Sequence, residues 1–309
     1  MANSYIVSVP ATTANIGPGF DCLGAALTRY NRFTFTPLAG SETLQITVTG
    51  AERDRVATDA SNLAYAAFSQ FFTHIDQPVP PVQLQIELGL PLARGLGSSS
   101  TAIVGGILGA NALAGQVLNT AELAQLATVI EGHPDNVVPA LLGGCRLATA
   151  NDAGDGTICE VPWQAAIIPI VAIPAFEVST AKARQVLPQH YSRRDAVYTL
   201  GHLGLLMQAL ATGNGDWLAT ALGDRIHEPY RKTLIPGYEA VSQAACQAGA
   251  YGVTISGAGP TLLALGNPTQ AAAIAQAMAI AWQQQGIDVV DARPLAIDTM
   301  GATVTAVNA

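Results

Sequence analysis

Glycine and hydroxyl side chains are concentrated in one short segment, Pro91-Leu-Ala-Arg-Gly-Leu-Gly-Ser-Ser-Ser-Thr101. This segment follows an alternating, strand-like run and opens a long apolar run with helical spacing. Gly95 and Gly97 allow the backbone to approach a ligand closely. The unpaired amides at the start of the helix, together with its dipole, favour an anion there. Since the four hydroxyls of residues 98–101 add donors and metal ligands, the segment predicts a polyphosphate site.

Two common phosphate-binding motifs do not fit this segment. A Walker A loop requires a lysine before its Ser/Thr, and the two lysines of the chain, Lys182 and Lys232, lie elsewhere. A dinucleotide fingerprint requires a third glycine where Ser100 stands, and the region about 20 residues later reads as a helix. A serine-capped helix after a glycine turn, without a ligand, remains the alternative. The segment favours the anion site over that alternative.

Hydrophobic periodicity predicts the elements that position this segment. Alternation predicts strands at Tyr5–Val9, Arg32–Thr36, Leu44–Thr49, Val82–Leu88, Ile167–Ile173, Tyr251–Ile255, Leu262–Leu265 and Ile287–Asp291. Helical spacing predicts helices at Asn62–Phe72, Ser98–Ala114, Ser192–Thr212, Gly215–His227, Pro236–Gln247 and Pro268–Gln285, and one from an N-cap at Thr120 through Glu131. A turn-rich stretch, Asn151–Gly156, and a boundary near Pro162 divide the chain into residues 1–162 and 163–309. This order indicates a two-domain α+β protein.

Composition argues against several classes of protein. Half of the 309 residues are apolar and 12% are charged, which excludes a disordered chain, and the net charge of -8 argues against a nucleic-acid-binding surface. The two most apolar stretches, Ala102–Leu118 and Ala165–Phe176, are interrupted by Gly, Asn or Pro and fall short of a membrane span. The four scattered cysteines favour free thiols in a reducing compartment. With no leader-like segment before the first predicted strand, we expect a cytoplasmic enzyme.

Two more segments accompany the glycine-serine segment: one spans Val9–Gly24, and the other is Ser256-Gly-Ala-Gly-Pro-Thr261. In this order and spacing, the three segments resemble the superfamily of galactose, homoserine, mevalonate and phosphomevalonate (GHMP) kinases over nearly the whole chain. Within that superfamily, Pro10-Ala-Thr-Thr-Ala-Asn15 followed by Gly-Pro-Gly-Phe-Asp21 is similar to the homoserine kinase family. Three further segments are similar to the same family: Glu131-Gly-His-Pro-Asp-Asn136, Ser179-Thr-Ala-Lys-Ala-Arg184 and His227-Glu-Pro-Tyr-Arg231.

The resemblance implies a fold and an activity. The N-terminal domain would be ribosomal S5 domain 2-like, with a left-handed βαβ unit that departs from the general right-handed rule. The C-terminal domain would be ferredoxin-like. ATP and L-homoserine would meet between the domains, and the product, O-phospho-L-homoserine, would feed threonine biosynthesis. A homodimer is a further expectation, because relatives are commonly dimers.

The resemblance also implies roles for single residues. The ATP phosphates would be held by Pro91, Leu92, Ala93, Arg94, Gly95, Leu96, Gly97, Ser98, Ser99, Ser100, Thr101 and Ala102, with Asn62 in the adenine pocket. Mg²⁺, which takes few protein oxygens and bridges phosphates, would be held by Glu131 and Ser98. Arg184 and Arg231 would bind the substrate carboxylate through their guanidinium forks. The substrate pocket would be completed by Asn15, Asp21, His133, Asn136, Thr180 and Gly257.

One departure from the superfamily bears on mechanism. Its mevalonate and galactose members place an aspartate base where this chain has Asn136, and an amide cannot accept a proton at neutral pH. Phosphoryl transfer depends mainly on positioning and charge neutralisation, so the proton can pass to the phosphoryl group itself. Asp21 is the alternative base. Two other functions stay open: another GHMP-type kinase acting on mevalonate, a sugar or shikimate, and a non-catalytic ligand-binding member of the fold.

Overall fold

The computed structural model describes residues 4–151 and 156–307, so most of the predicted turn at Asn151–Gly156 lies outside the described residues. The strands are β1 (Ser4–Ala14), β2 (Leu23–Pro37), β3 (Leu44–Thr49), β4 (Val82–Glu87), β5 (Cys145–Ala150), β6 (Gly156–Val161), β7 (Ile168–Pro174), β8 (Gly252–Ile255), β9 (Leu262–Gly266), β10 (Val289–Pro294) and β11 (Thr303–Val307). The helices are α1 (Leu63–His74), α2 (Ser98–Leu113), α3 (Thr120–Glu131), α4 (Pro134–Leu142), α5 (Thr180–Gln185), α6 (Arg193–Thr212), α7 (Gly215–Ala221), α8 (Glu228–Arg231), α9 (Tyr238–Gln247) and α10 (Ala271–Gln284).

The first sheet has the strand order β11-β1-β2-β4-β3, and β5 and β6 extend it from β2. Strands β3 and β4 pair in parallel across the connection that contains α1, which gives the predicted βαβ unit; its left-handed sense stays a prediction. The apolar face of the sheet packs against α1 and α2. Helix α2 packs closely on β2 because it has glycines at the contact. An added Cβ would lie 2.5 Å from the Phe33 ring at Gly105, and 2.2 Å from the Phe35 ring at Gly109. This packing fixes the helix that follows the glycine-serine segment.

The second sheet is antiparallel in the order β10-β7-β9-β8. Along the chain its elements follow as β7-α9-β8-β9-α10-β10, which is the ferredoxin-like βαββαβ arrangement. Trp282 and Met278 of α10 are fully buried in a core with Ile170 and Leu262 of the sheet. The predicted ferredoxin-like domain is therefore confirmed. Helices α5 to α8 are inserted between β7 and α9 and carry the two arginine segments.

The last strand, β11, returns to the first sheet and pairs with β1. No strand was predicted there, although Val304 and Ala306 alternate with Thr303 and Thr305; in the structure all five residues of Thr303–Val307 are exposed. Residues 303–307 thus contribute to the sheet formed mainly by the first half. The division into residues 1–162 and 163–309 stays a prediction. Among the described residues, no helix is both long and apolar enough to cross a membrane.

Three predicted element ends are wrong for local reasons. Strand β1 continues past Val9 because a register shift between Pro10 and Ala11 accommodates the proline. The N-cap of α3 is Asn119 in a capping box, and not Thr120. The helix predicted through His227 ends at Ala221, since the carboxylate of Asp224 accepts backbone N–H groups and starts the short α8 instead.

Candidate active site

The three segments of the sequence analysis converge on one cavity of about 320 Å³. Its lining includes these predicted site residues: Asn15, Asp21, Ala93, Arg94, Gly95, Gly97, Ser98, Ser99, Ser100, Glu131, His133, Asn136, Thr180, Arg184, Arg231 and Gly257. It also includes residues that the sequence analysis did not select: Asp135, Val178, Ser179, Ala258 and Gly259. Six predicted cofactor-binding residues lie outside this lining: Asn62, Pro91, Leu92, Leu96, Thr101 and Ala102.

Direct hydrogen bonds to backbone carbonyls hold the three segments together. The hydroxyl of Ser256 donates to the carbonyl of Gly95 at 2.6 Å, and the N–H of Gly257 donates to the carbonyl of Ala14 at 3.0 Å. At Gly95, where φ is +81°, an added Cβ would lie 2.3 Å from the carbonyl oxygen of Ser256. Only glycine permits this approach. The glycine-serine segment Pro91–Thr101 (the phosphate segment) and the 256–261 loop therefore form one wall of the cavity.

The start of α2 is suited to an anion. Its N-cap is Gly97 in the left-handed region with φ 67°, and no side chain caps the first turn. The first N–H groups of the helix are thus available to phosphate oxygens, and Ser98, Ser99 and Ser100 line the cavity beside them. Leu96 lies in the core, and the Thr101 hydroxyl donates to the Ser98 carbonyl at 2.7 Å. These two side chains shape the segment, and their contact with phosphate stays a prediction.

Arg94, which was expected to contact phosphate, has a structural role in addition to lining the cavity. Its side chain is only 7% exposed. Its guanidinium group donates to the carbonyls of Leu92, Pro174 and Ala175 and to the carboxylate of Glu177. Each of its three nitrogens therefore has a protein acceptor. Arg94 fixes the phosphate segment to the end of β7, which belongs to the second sheet.

A second cavity of about 240 Å³ adjoins the first and shares Ala93, Ser98 and Ser99 with it. Its wall is largely apolar and also contains Asn62, Leu92 and Ala102, which places it where the adenine was expected. The amide of Asn62 is engaged by the protein. Its oxygen accepts from the first N–H groups of α1, and its nitrogen donates to the carbonyl of Ala57 at 2.7 Å. Asn62 therefore shapes this pocket, while its polar atoms hold α1.

The carboxylate of Glu131 lies beside the serine hydroxyls. Ser100 donates to Glu131 Oε1 at 2.9 Å, and Ser99 lies 3.5 Å from Oε2. Ser98, the hydroxyl predicted to bind the metal with Glu131, lines the same cavity. Within residues 4–151 and 156–307, no group of three or more His, Cys, Asp or Glu forms a metal cluster. One carboxylate with nearby hydroxyls fits Mg²⁺, which fills its remaining positions with phosphate oxygens and water.

Two arginines lie on the other side of the cavity. Arg184 forms a bidentate ion pair with Asp21, with N···O distances of 2.9 and 3.0 Å, and this hydrogen bonding raises the pKa of Arg184. Arg231 is only 2% exposed and donates to the carbonyls of Ala183 and Gly257. Burial lowers the pKa of Arg231. The ring of Phe20 lies 5.9 and 4.9 Å from the two guanidinium carbons, so both cations share an aromatic neighbour.

The ion pair of Asp21 bears on its predicted role as a base. Both carboxylate oxygens of Asp21 accept from Arg184. Asn15 holds the same turn, because its amide oxygen accepts from the N–H of Asp21 and its nitrogen donates to Gly257. Asp21 is therefore paired and oriented in this structure, as expected for a recognition residue.

Two residues that the sequence analysis missed position predicted ones. The Thr12 hydroxyl donates to Asn136 Oδ1 at 2.8 Å, which leaves the amide nitrogen of Asn136 to face a ligand. Asp135 is buried and contacts Nδ1 of His133 at 2.6 Å, and this hydrogen bond raises the pKa of His133. Both residues lie inside segments that were selected for their resemblance. Thr12 and Asn136 lie 124 positions apart, which no spacing rule reveals, whereas Asp135 contacts a residue only two positions away.

Comparison with known proteins agrees with this geometry. A model of the "GHMP kinases N terminal domain" matches residues 62–144, and one named "GHMP kinases C terminal" matches residues 206–284. A homoserine kinase from Trichormus variabilis is 60% identical, covering 98% of this chain and 99% of the relative. One from Synechococcus sp. is 57% identical, covering 96% and 97%.

The chain belongs to the homoserine kinase family of GHMP kinases. The crystal structure of a homoserine kinase from Cytophaga hutchinsonii superposes with a TM-score of 0.89 at 30% identity, covering 99% of this chain and 98% of that one. A mevalonate kinase from L. major, in complex with R-mevalonate, shares the fold at 18% identity, with a TM-score of 0.69 and coverage of 95% and 96%. Membership in the homoserine kinase family confirms the predicted GHMP fold and an ATP-dependent kinase.

Proposed function

We propose that the protein transfers the γ-phosphoryl group of ATP to the side-chain hydroxyl of L-homoserine, with Mg²⁺, and forms O-phospho-L-homoserine for threonine biosynthesis. One observation carries the proposal. A single cavity joins the uncapped start of α2, the Glu131 carboxylate beside serine hydroxyls, and two arginines of the inserted helices. Those are sites for a triphosphate, for a magnesium ion and for an amino-acid carboxylate.

The nucleotide half of the site follows from the phosphate segment. The adenine would occupy the 240 Å³ pocket, and the phosphates would accept hydrogen bonds from the first amides of α2. Glu131 and Ser100 would hold Mg²⁺, with Ser98 as the second hydroxyl in reach of the cavity. When bound, Mg²⁺ neutralises phosphate charge that in many kinases a lysine neutralises.

The acceptor half of the site contains the Arg184–Asp21 ion pair, and the two charged groups of a zwitterionic substrate can each bind one member of it. The carboxylate of homoserine would take the guanidinium fork of Arg184 and the buried charge of Arg231. Asp21, released from Arg184, would then accept the ammonium group. The substrate would thus replace each partner of the Arg184–Asp21 pair and would give the buried Arg231, whose acceptors are backbone carbonyls, a carboxylate partner.

The chemical step needs no dedicated base in this proposal. The homoserine oxygen attacks the γ-phosphorus, the bond to the ADP oxygen breaks, and the hydroxyl proton passes to a phosphoryl oxygen. Asn136, oriented by Thr12, donates its amide N–H to the reacting oxygens. Positioning and charge neutralisation supply most of the rate enhancement in such reactions.

A substrate panel tests the proposal. Purified protein is incubated with Mg-ATP and homoserine, threonine, serine, mevalonate, galactose or shikimate, and ADP release is coupled to a spectrophotometric readout. We expect the highest kcat/KM with homoserine and a phosphorylated product by mass spectrometry. Faster turnover of mevalonate, a sugar or shikimate would assign another GHMP activity. ATP binding without turnover of any acceptor would favour the non-catalytic alternative.

The remaining predictions about organisation have simple tests. We retain as proposals the division into residues 1–162 and 163–309, a homodimer and a cytoplasmic location. Light scattering after size-exclusion chromatography measures the mass in solution. Because β11 pairs with β1, a fragment of residues 1–162 would lack one strand of its sheet and should be less stable than the same fragment with that strand appended.

A further inference from the structure

The turn between β1 and β2 carries Asn15 and Asp21 into the cavity in a strained backbone conformation. Four of its residues have positive φ: Asn15 at 72°, Ile16 at 43°, Gly17 at 67° and Asp21 at 56°. Non-glycine residues adopt this region only at a cost in free energy, so the surrounding structure must hold them there. The geometry of this turn therefore depends on contacts outside the turn.

Two residues of the second half bind the backbone of Gly17 from both sides. Its N–H donates to the hydroxyl of Thr254 at 2.8 Å, and its carbonyl accepts from Nε2 of His227 at 2.8 Å. The imidazole of His227 is fully buried and stacks on Phe20 of the same turn, with ring centroids 5.1 Å apart. Burial lowers the pKa of His227, which favours the neutral ring, and because the Gly17 carbonyl can only accept, the hydrogen bond places a proton on Nε2.

A buried carboxyl group orients the Thr254 hydroxyl. That hydroxyl donates to Oε1 of Glu228, so its lone pairs are directed to the Gly17 N–H. Glu228 Oε1 also accepts from the N–H of Ile255 at 2.8 Å. Asp224 in turn accepts the backbone N–H groups of His227 and Glu228, at 2.7 and 2.9 Å, and fixes both residues at the start of α8. The contacts form one chain from α8 to Gly17.

We propose that His227, Glu228 and Thr254 are positioning residues for the acceptor substrate: they hold Gly17 so that Asn15 and Asp21 face the two arginines. The inference rests on the proposed function, because it concerns the homoserine half of the site. The described lining of the main cavity includes none of the three, so they act through the turn and do not touch the substrate.

A positioning role and a purely structural role of these three residues predict different kinetic effects of their loss. The hydrogen-bonded chain from His227, Glu228 and Thr254 to Gly17 (the relay) ends at the turn that contacts Arg184 and Gly257. The proposed nucleotide site is formed by α2 and the adenine pocket. Loss of the relay should therefore weaken use of homoserine while KM for ATP stays constant. A purely structural role would lower the melting temperature and the active fraction while both KM values stayed constant.

Thr254→Val is the main test, because it removes the hydroxyl and keeps the side-chain shape. We expect KM for homoserine to rise about tenfold and kcat/KM to fall with it, as for the loss of one positioning hydrogen bond, with KM for ATP within about twofold of wild type. Thr254→Ser restores the hydroxyl and should restore kcat/KM. Thr128→Val is the matched control, because its hydroxyl bonds only the carbonyl of Ala124 in its own helix; it should leave both KM values unchanged.

A second pair of variants covers the case in which Thr254→Val does not fold. His227→Gln keeps an N–H donor near the place of Nε2 and should retain more acceptor specificity than His227→Leu, which keeps bulk without a donor. Equal homoserine kcat/KM in the two variants, or a wild-type value in Thr254→Val, would overturn the inference. If wild type does not phosphorylate homoserine, the proposed function fails, and the relay is then assayed with the acceptor that the panel identifies.

Discussion

Gly95→Ala tests how closely the phosphate segment must approach the 256–261 loop. Gly95 has φ +81°, where a residue with a Cβ costs about 1–2 kcal/mol. The added Cβ would lie 2.3 Å from the Ser256 carbonyl oxygen, and contacts below 3.0 Å do not persist. One of the two segments must therefore move by about an ångström, and a displacement of that size costs on the order of 100-fold in rate, or roughly 2.7 kcal/mol of transition-state stabilisation.

Gly115→Ala provides the matched control. Gly115 also has positive φ, at +85°, but an added Cβ would meet nothing within 4 Å. Both variants carry the same backbone strain and should lose a few degrees of melting temperature. Only Gly95→Ala also forces the cavity wall apart. We therefore expect Gly115→Ala to retain wild-type kcat/KM in the coupled ADP assay, and Gly95→Ala to lose about 100-fold of it.

The comparison has a clear negative outcome. If Gly95→Ala melted at the temperature of Gly115→Ala and kept kcat/KM within about threefold of it, contact between the segments would not control the reaction geometry. If both variants lost activity equally, the strain alone would account for the effect. Either result would remove the argument that Gly95 couples the phosphate segment to the acceptor site.

Four further predictions follow from single contacts. Asn136→Ala should lower kcat on the order of 100-fold and change KM for homoserine little, as steady-state kinetics will show, because it removes a donor to the reacting oxygens. Glu131→Gln should raise the Mg²⁺ concentration for half-maximal rate by at least about tenfold in a metal titration. Arg94→Met should cost about 2 kcal/mol in urea unfolding, since buried acceptors lose their donor, and should leave KM for ATP nearly unchanged. Burial raises the pKa of Glu228 from 4.5 to about 7. The protonated carboxyl group therefore contributes to the free energy of unfolding below pH 4.5, and this contribution is lost as the pH rises to about 7. Glu228→Gln should flatten that part of the pH–stability curve.

The sequence predicted the phosphate segment because its signal is local. Two glycines and four hydroxyl residues occur between positions 95 and 101, shortly after a strand, and the helix starts at Ser98 as expected. The helix Arg193–Thr212 was also predicted closely, since its N-cap Ser192 and its C-terminal Gly213 are local signals. Predictions of this kind depend on the chain within one or two turns of the residue concerned.

The contacts that the sequence did not predict depend on distant parts of the chain. The contact of Arg94 with phosphate stays a prediction, but its acceptors at Pro174, Ala175 and Glu177 could not be predicted, because they lie about 80 residues away. The hydrogen bond from Ser100 to Glu131 was not predicted for the same reason, because it depends on the packing of α2 on α3; Ser98 as a metal ligand stays a prediction. Strand β11 is exposed and pairs with β1 at the other end of the chain. Each of these facts is a tertiary contact that no local pattern encodes.

The charges around the cavity explain why an asparagine suits position 136. The lining already holds the carboxylates of Asp21, Glu131 and Asp135, while the phosphate segment offers amides and hydroxyls and contains no lysine. A fourth carboxylate at that position would repel the phosphates, and Thr12 would have to donate to a charged group beside buried Asp135. An amide keeps the hydrogen bond to Thr12 and presents a donor to the reacting oxygens. The site therefore favours positioning by neutral donors over proton removal by a base.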